Sequence, residues 1–232
     1  MENSIKFLFS GDSALVIEFG NEISVDINKK IRKMMDSIKK ENIDGIIELV
    51  PTYCSLLVNY DVLKVDYQNL VEKLKTLLND DNETVEDEEV TLIEIPTLYN
   101  DECGPDLSYV AEYNKLSKEE VIKIHTGTDY LVYMLGFMPG FTYLGGMSEK
   151  IATPRLESPR LQIYPGSVGI AGKQTGMYPS MSPGGWRIIG RTPLKLYNPD
   201  SETPVYISSG DYIRYVSISE EEYNNILKKV EN

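Results

Sequence analysis

The sequence predicts an α+β protein of two domains, and three observations carry that prediction. Over the first 80 residues, apolar alternation and helical spacing follow one another in the order β-β-α-β-β-α, the pattern of an antiparallel sheet with its helices on one face. Residues 80–89 then break the composition with a run dominated by Asp and Glu. Beyond it, Gly136 to Arg191 carries glycine and proline so often that no long helix fits, which leaves short strands joined by tight turns. The boundary falls at 85/86, giving an N-terminal α/β sandwich over 1–85 and a second domain over 86–232.

Each element has its own signal. Residues 5–9 and 14–19 read as strands of a hairpin turning at Ser10-Gly11-Asp12-Ser13. From Ser24 the period changes: Val25, Ile27, Ile31, Met34, Met35 and Ile38 share one side of an amphipathic helix whose opposite side is basic and solvated. Residues 46–50 and 55–60 make two further strands around Pro51-Thr52, and Tyr67, Leu70, Val71, Leu74, Leu77 and Leu78 mark a second helix. No catalytic constellation lies in this first domain. The acidic run 80–89 repels itself and reads as a linker. Residues 90–96 start the second domain as a strand, and a short helix with Leu107, Val110 and Ala111 follows Gly104-Pro105-Asp106. Ser117-Lys118-Glu119-Glu120 is a capping box opening a helix that runs to about His125, with Gly127 as its stop. From Asp129 onward the chain reads as β.

Composition excludes whole classes of function. The net charge is -13, so a phosphate backbone or an anionic membrane surface would be repelled by most of the molecule. No apolar run is long enough to span a bilayer, and the N-terminal residues Met1 to Lys6 lack the apolar stretch of a signal peptide, so the expectation is a cytoplasmic protein. Cys54 and Cys103 have no CxxC spacing and read as reduced. A single histidine, His125, rules out a multi-histidine metal site, and no metal is expected.

Against this acidic background one segment stands apart. Between Lys150 and Lys195 the basic residues are Lys150, Arg155, Arg160, Lys173, Arg187, Arg191 and Lys195, and the one acid is Glu157. Arginines on a glycine-rich, loop-heavy surface suit an anionic ligand, because the guanidinium fork matches carboxylate or phosphate. Gly169 to Thr175 departs from a Walker loop at Ser167 and Gln174 and reads instead as a hairpin. Its glycines either bring Gln174, Thr175 and Tyr178 to a small ligand or serve turn geometry alone. His125 is either the proton-transfer residue or a helix-end histidine favoured by the dipole, and Asp129 offers a carboxylate that would raise its pKa. Neither Ser167 nor Cys103 has the surroundings of a nucleophile, and Trp186 is either a stacking platform or core.

Several blocks occur in a specific order: Tyr133 to Phe137, Pro139-Gly140-Phe141, Tyr143 to Gly146, Ala152 to Arg155, Pro159-Arg160, Gly166 to Gly172, Gln174-Thr175-Gly176, Tyr178-Pro179 and Ser182 to Pro193. Together they resemble the KipI / allophanate hydrolase subunit 1 family, strongly from about Pro96 to Arg214. The resemblance implies that the second domain is a cyclophilin-like β-barrel of the carboxyltransferase type. It also implies that the chain is the B subunit of an ATP-dependent 5-oxoprolinase, a hydrolase that opens 5-oxo-L-proline to L-glutamate. The implied partners are a C subunit homologous to allophanate hydrolase subunit 2 and a separate LamB/YcsF-type protein, with ATP, and Mg2+ beside it, bound with or by a partner. Two other readings come with the family: an inhibitor binding a sporulation histidine kinase, and one part of an amidase for allophanate-like amides. On the enzyme reading, His125, Arg155, Arg160, Gln174, Tyr178, Arg187 and Arg191 converge with Thr175 on one face of the barrel. The arginines, Gln174 and Thr175 hold a small carboxylate substrate, and His125 or Tyr178 transfers a proton.

Overall fold

The computed structural model describes residues 5–79 and 91–231. The chain divides into two compact units, Met1–Glu89 and Val90–Asn232, and the acidic run that carries the predicted boundary lies outside the described residues.

In the first unit, strands β1 (Lys6–Phe9), β2 (Ala14–Glu18), β3 (Ile46–Pro51) and β4 (Ser55–Tyr60) pair in the order β1-β2-β4-β3, every pair antiparallel. The alternation in β2 and β4 sends Leu15, Ile17, Leu56, Val58 and Tyr60 inward. They meet Ile27, Ile31, Met34 and Ile38 of α1 (Val25–Glu41) and Leu70, Val71 and Leu74 of α2 (Tyr67–Asn79) in one core. Each such side chain contributes about 1.5–3 kcal/mol when fully buried, which is why the helical face and the strand face select one another. The first helix stops where Asn42 turns left-handed (φ 46°) and its amide bonds back to Lys39 O.

The second unit holds three ladders. The four-stranded one runs β5 (Leu92–Thr97), β13 (Tyr212–Ser217), β6 (Asp129–Leu135), β7 (Thr142–Gly145), with β5 and β13 parallel. A three-stranded one runs β10 (Gln174–Met177), β9 (Ser167–Ala171), β12 (Arg187–Arg191), and β8 (Arg160–Ile163) pairs with β11 (Ser182–Gly184). Among the described residues these ladders do not join into one closed hydrogen-bonded barrel. Helices α3 (Leu107–Asn114) and α4 (Lys118–Thr126) cover the core, and the capping box at Ser117 and Glu120 forms in both directions. Contrary to the reading that the chain is β after Asp129, a further helix α5 spans Glu220–Glu231. Its start is a second reciprocal cap: Glu222 Oε2 accepts from the Ser219 amide at 2.8 Å, while Ser219 Oγ accepts from the Glu222 amide at 3.2 Å. No helix among the described residues is long and apolar enough to cross a membrane.

Candidate functional site

The hairpin of β9 and β10 turns through Gly172 and Lys173, since Ala171 pairs with Gln174. Gly172 has φ +61°, which the first position of a two-residue II′ turn requires and only glycine adopts without strain. The other glycines of the hairpin work by close packing. A Cβ on Gly169 would sit 3.2 Å from Arg187 O, and one on Gly176 would sit 2.8 Å from Thr142 O. Lys173 Nζ is paired with Glu149 at 2.5 Å. The backbone here is occupied by neighbouring segments, Gly172 exchanging both its hydrogen bonds with Thr153, so the hairpin does not fit a nucleotide's phosphates.

Along β10, Thr175 turns inward to His125. The imidazole is fully buried, its Nδ1 2.8 Å from Tyr99 Oη and its Nε2 2.8 Å from Thr175 Oγ1. Thr175 Oγ1 also lies 3.1 Å from Gly169 O, which can only accept. The threonine hydrogen therefore goes to that carbonyl, Nε2 carries the ring proton, and Nδ1 accepts from Tyr99. Tyr215 and Tyr130 enclose the ring at centroid distances of 4.4 and 5.6 Å, and Tyr130 donates to His125 O at 2.7 Å. Burial lowers the His125 pKa to about 3, so the ring is neutral at any physiological pH. Asp129, the carboxylate expected beside it, instead makes a bidentate pair with Arg214 at 2.6 and 2.7 Å. His125 and Thr175 thus form a sealed internal network.

The arginines assemble elsewhere, around a residue that sequence reasoning passed over. Gly104 lies so close to β12 that a Cβ there would be 2.1 Å from Ile189 O. The next residues stitch to the strand: Asp106 N donates to Ile188 O at 2.9 Å, and Ile188 N donates to Asp106 Oδ2 at 2.7 Å. The other carboxylate oxygen accepts from Arg160 Nη2 at 2.8 Å and lies 3.9 Å from Arg187 Nη1. Asp106, a residue only 5% exposed, occupies the N-cap position of α3 yet makes no capping bond, because its carboxylate is engaged by arginine and strand. Its one available signal was the Gly-Pro-Asp order ahead of a helix; the arginine partners lie more than fifty positions away.

Arg160 also reaches Trp186 O at 3.4 Å, and the exposed Arg155 guanidinium lies 5.9 Å from the Trp186 ring centroid. Arg187 Nε donates to Pro154 O at 3.3 Å while its guanidinium lies 3.7 Å over Tyr109. Beneath them Tyr178 and Trp186 pack edge to face with Phe141 at 5.3 and 5.4 Å. Burial pushes the Tyr178 hydroxyl up to about 12, opposed by the Trp186 amide and by the charges of Arg155 and Arg160. Phe137 flanks this floor, 5.5 Å from Phe141, exposed to 65% and held at φ +64°. A bulky side chain in the left-handed region is strained, and such strain gathers at functional loops.

The structure therefore brings Arg155, Arg160, Arg187 and Tyr178 together and sets His125 and Thr175 apart in the interior. Gln174 sits at the hairpin turn, half-buried. Arg191 lies at the other end of β12, bridged to Leu98 and lying 5.1 Å over the Tyr164 ring.

Known proteins carry the same organisation. The sequence pattern of the carboxyltransferase domain, subdomain C and D, matches residues 5–207. The B subunit of 5-oxoprolinase from Bacillus subtilis (strain 168) is 46% identical over 224 residues, covering 92% of this chain and 93% of its own. That of Escherichia coli O157:H7 is 36% identical over 209 residues, covering 89% and 93%. The crystal structure of TTHA0988 superposes with a TM-score of 0.79 at 32% identity, over 89% of this chain and 40% of its own. A pattern match across most of the residues, with relatives this similar along nearly their whole length, makes the chain a member of the carboxyltransferase domain family, subdomain C and D.

Proposed function

We propose that this chain acts as the B subunit of an ATP-dependent 5-oxoprolinase complex that opens 5-oxo-L-proline to L-glutamate in the cytoplasm. The likeness to two proteins of that name along nearly their full length carries the reading. Its partners are a C subunit homologous to allophanate hydrolase subunit 2 and a LamB/YcsF-type protein. ATP and its Mg2+ bind with or on a partner and supply activation of the amide carbonyl. The second unit is a cyclophilin-like barrel in this reading. Support comes from the two hydrogen bonds between Leu98 and Arg191, 2.9 and 3.0 Å, which tie the end of β5 to β12, and from the close approach of Gly176 on β10 to Thr142 on β7. On this reading the strands would follow one another around the barrel as β7-β6-β13-β5-β12-β9-β10.

Within this chain, Arg155 holds the substrate carboxylate, being exposed and free of any acidic partner among the described residues. Arg160 and Arg187, fixed by Asp106, keep positive charge beside the place where negative charge develops as the amide opens. Tyr178 is buried and remains protonated at neutral pH, its hydroxyl accepting from the Trp186 amide, so it serves as the floor of the cluster and not as a base. His125 and Thr175 act as scaffold, because a buried imidazole with both nitrogens engaged has no route to a ligand.

The test is 5-oxoproline-dependent ATP hydrolysis with glutamate detection, by the chain alone, with the C subunit, and with the C subunit and the LamB/YcsF-type protein together. Glutamate is expected only from the full mixture. A complete mixture that assembles and hydrolyses no 5-oxoproline would overturn the substrate.

A further inference from the structure

Among the described residues, three other than glycine hold a positive φ: Asn42, Lys115 and Phe137. Asn42 and Lys115 close α1 and α3, where a left-handed residue returns its amide to the last carbonyls of the helix. Phe137 closes no helix. It stands in the loop between β6 and β7, where Met138 N donates to Gly136 O at 2.7 Å across a φ of +64°, a γ-turn of the rare, strained kind. Gly136 N donates to Phe141 O, and Phe141 N to Met138 O, each at 3.1 Å, so three hydrogen bonds hold the turn in place. Gly140 fixes it from the other side. With φ +81°, a Cβ there would lie 3.1 Å from Leu196 O and 3.3 Å from Pro179 Cβ.

The fold gains little from a phenyl at this position. Glycine would serve the turn without strain, and the Phe137 ring, largely exposed, meets Phe141 only by its edge contact. A backbone strained to present an exposed ring points to what the ring touches outside the fold. Its surroundings name the occupant. Phe141 belongs to a small apolar cluster with Tyr178 and Trp186, and Met138, the residue after Phe137, packs against that cluster as well. The same cluster carries the cations: Arg155 lies over Trp186, Arg160 donates to Trp186 O, and the charges of both bear on the Tyr178 hydroxyl. Phe137 and Arg155 are thus exposed groups on one aromatic base, two ring contacts apart.

We propose that Phe137 is a specificity-determining residue whose phenyl packs on the two ring methylenes of 5-oxoproline while Arg155 holds the carboxylate. The inference rests on the 5-oxoprolinase reading above. There the arginines provide for the carboxylate and for the charge that develops at the amide, and no residue yet provides for the apolar edge between them. Sites for small ligands combine such an apolar wall with a few placed polar groups. Because the turn is already bonded in position, little loop freedom is lost when the substrate arrives. The same wall disfavours a ligand with a polar group at either methylene, since the phenyl offers it no hydrogen bond.

Steady-state turnover of 5-oxoproline by the chain with the C subunit and the LamB/YcsF-type protein tests this, comparing Phe137→Gly and Phe137→Leu with the parent. Thermal unfolding of each chain and its calorimetric affinity for the C subunit are measured alongside. Phe137→Gly should unfold no lower than the parent, because glycine relieves the turn, and should raise KM about tenfold with kcat little altered. Phe137→Leu, which restores an apolar side chain, should recover part of that KM. An unchanged KM in Phe137→Gly overturns the inference, while turnover by the parent leaves the 5-oxoprolinase reading standing. A Phe137→Gly chain that unfolds well below the parent makes the ring part of the core and overturns it as well. Weakened affinity for the C subunit, with the parent's KM once that subunit saturates, makes Phe137 a partner contact instead. If the parent complex turns over no 5-oxoproline, the reading fails and takes the inference with it.

Discussion

Two polar groups in the second unit end in opposite states. The His125 network is closed: every polar atom of the ring has an internal partner and three tyrosines surround it. The Asp106 cluster is half open. Its carboxylate is buried, but the arginines it fixes reach outward beside the exposed Arg155. Chemistry near a ligand needs groups that are held on one side and accessible on the other. The difference teaches that the depth of a residue, more than its type, decides whether it can act, so the arginine cluster and not the lone histidine is the place to look for substrate.

The contrast breaks most easily at Asp106. Replacing it with alanine removes the acceptor of a buried amide and the counter-charge of two arginines. Because Arg160 is partly exposed, the loss should lie near the lower end for a broken buried pair, about 3 kcal/mol in chemical denaturation. Asp106→Asn keeps an oxygen for Ile188 N and should cost about half as much. A loss as small as that of a surface substitution would mean the arginines are positioned by something else.

Next in size is the pH dependence of the closed network. Folded His125 has its pKa lowered to about 3, whereas unfolded it titrates near the ordinary 6.5. Above pH 6.5 both states are neutral there and the residue adds no pH dependence. Between 6.5 and about 3 the unfolded chain binds a proton that the native chain refuses, so stability falls as pH falls. His125→Gln lacks that proton. It should be less stable than wild type by about 2 kcal/mol at pH 7, and the gap should shrink by about 2 kcal/mol at pH 5. A gap that stays constant between those pH values would show that the ring is accessible to protons, and would return it to the list of candidate acids and bases.

Much of this contrast could not be read from the chain in advance. The first unit was legible because its apolar periods are local, with Ile27, Ile31, Met34 and Ile38 on one side of a helix and Leu56, Val58 and Tyr60 alternating in a strand. The Ser117 capping box was equally plain, and the one at Ser219 used the same letters in a segment read as β. What stayed hidden depends on long-range pairing. Nothing near His125 announces that Thr175 and Tyr99 will close over it, or that Asp129 will turn to Arg214. The excess of arginine was visible, but its division between Asp106 and Tyr164 is a property of β8 and β12 in space. Hairpin glycines that read as turn residues proved to be close-packing sites wherever a Cβ would meet a neighbouring carbonyl, as at Gly169 and Gly176.

A smaller effect comes from the floor of the open cluster. Tyr178→Phe removes the hydroxyl that takes the Trp186 amide and should cost about 1 kcal/mol of stability, read as a lower denaturation midpoint with unchanged slope. In the reconstituted complex the pH profile of turnover should stay flat between about pH 7 and 9 in both proteins, since a hydroxyl at about 12 does not titrate there. An alkaline limb present in the parent and absent in the variant would make Tyr178 an acid or base after all.

The least effect on stability, and the sharpest on function, is expected at Arg155. Its guanidinium is exposed and touches only the distant face of Trp186 among the described residues, so Arg155→Ala should change stability by no more than about 0.5 kcal/mol. If it holds the substrate carboxylate, the same change removes a charge-assisted hydrogen bond, and KM for 5-oxoproline should rise about ten- to a hundredfold with kcat little altered. Arg155→Lys, a point charge without the planar fork, should recover part of that loss. This split between an untouched fold and a weakened substrate is what separates the open cluster from the closed one, since His125→Gln should do the reverse. An Arg155→Ala complex with wild-type KM would place the substrate away from these arginines and leave them, like the histidine, as architecture.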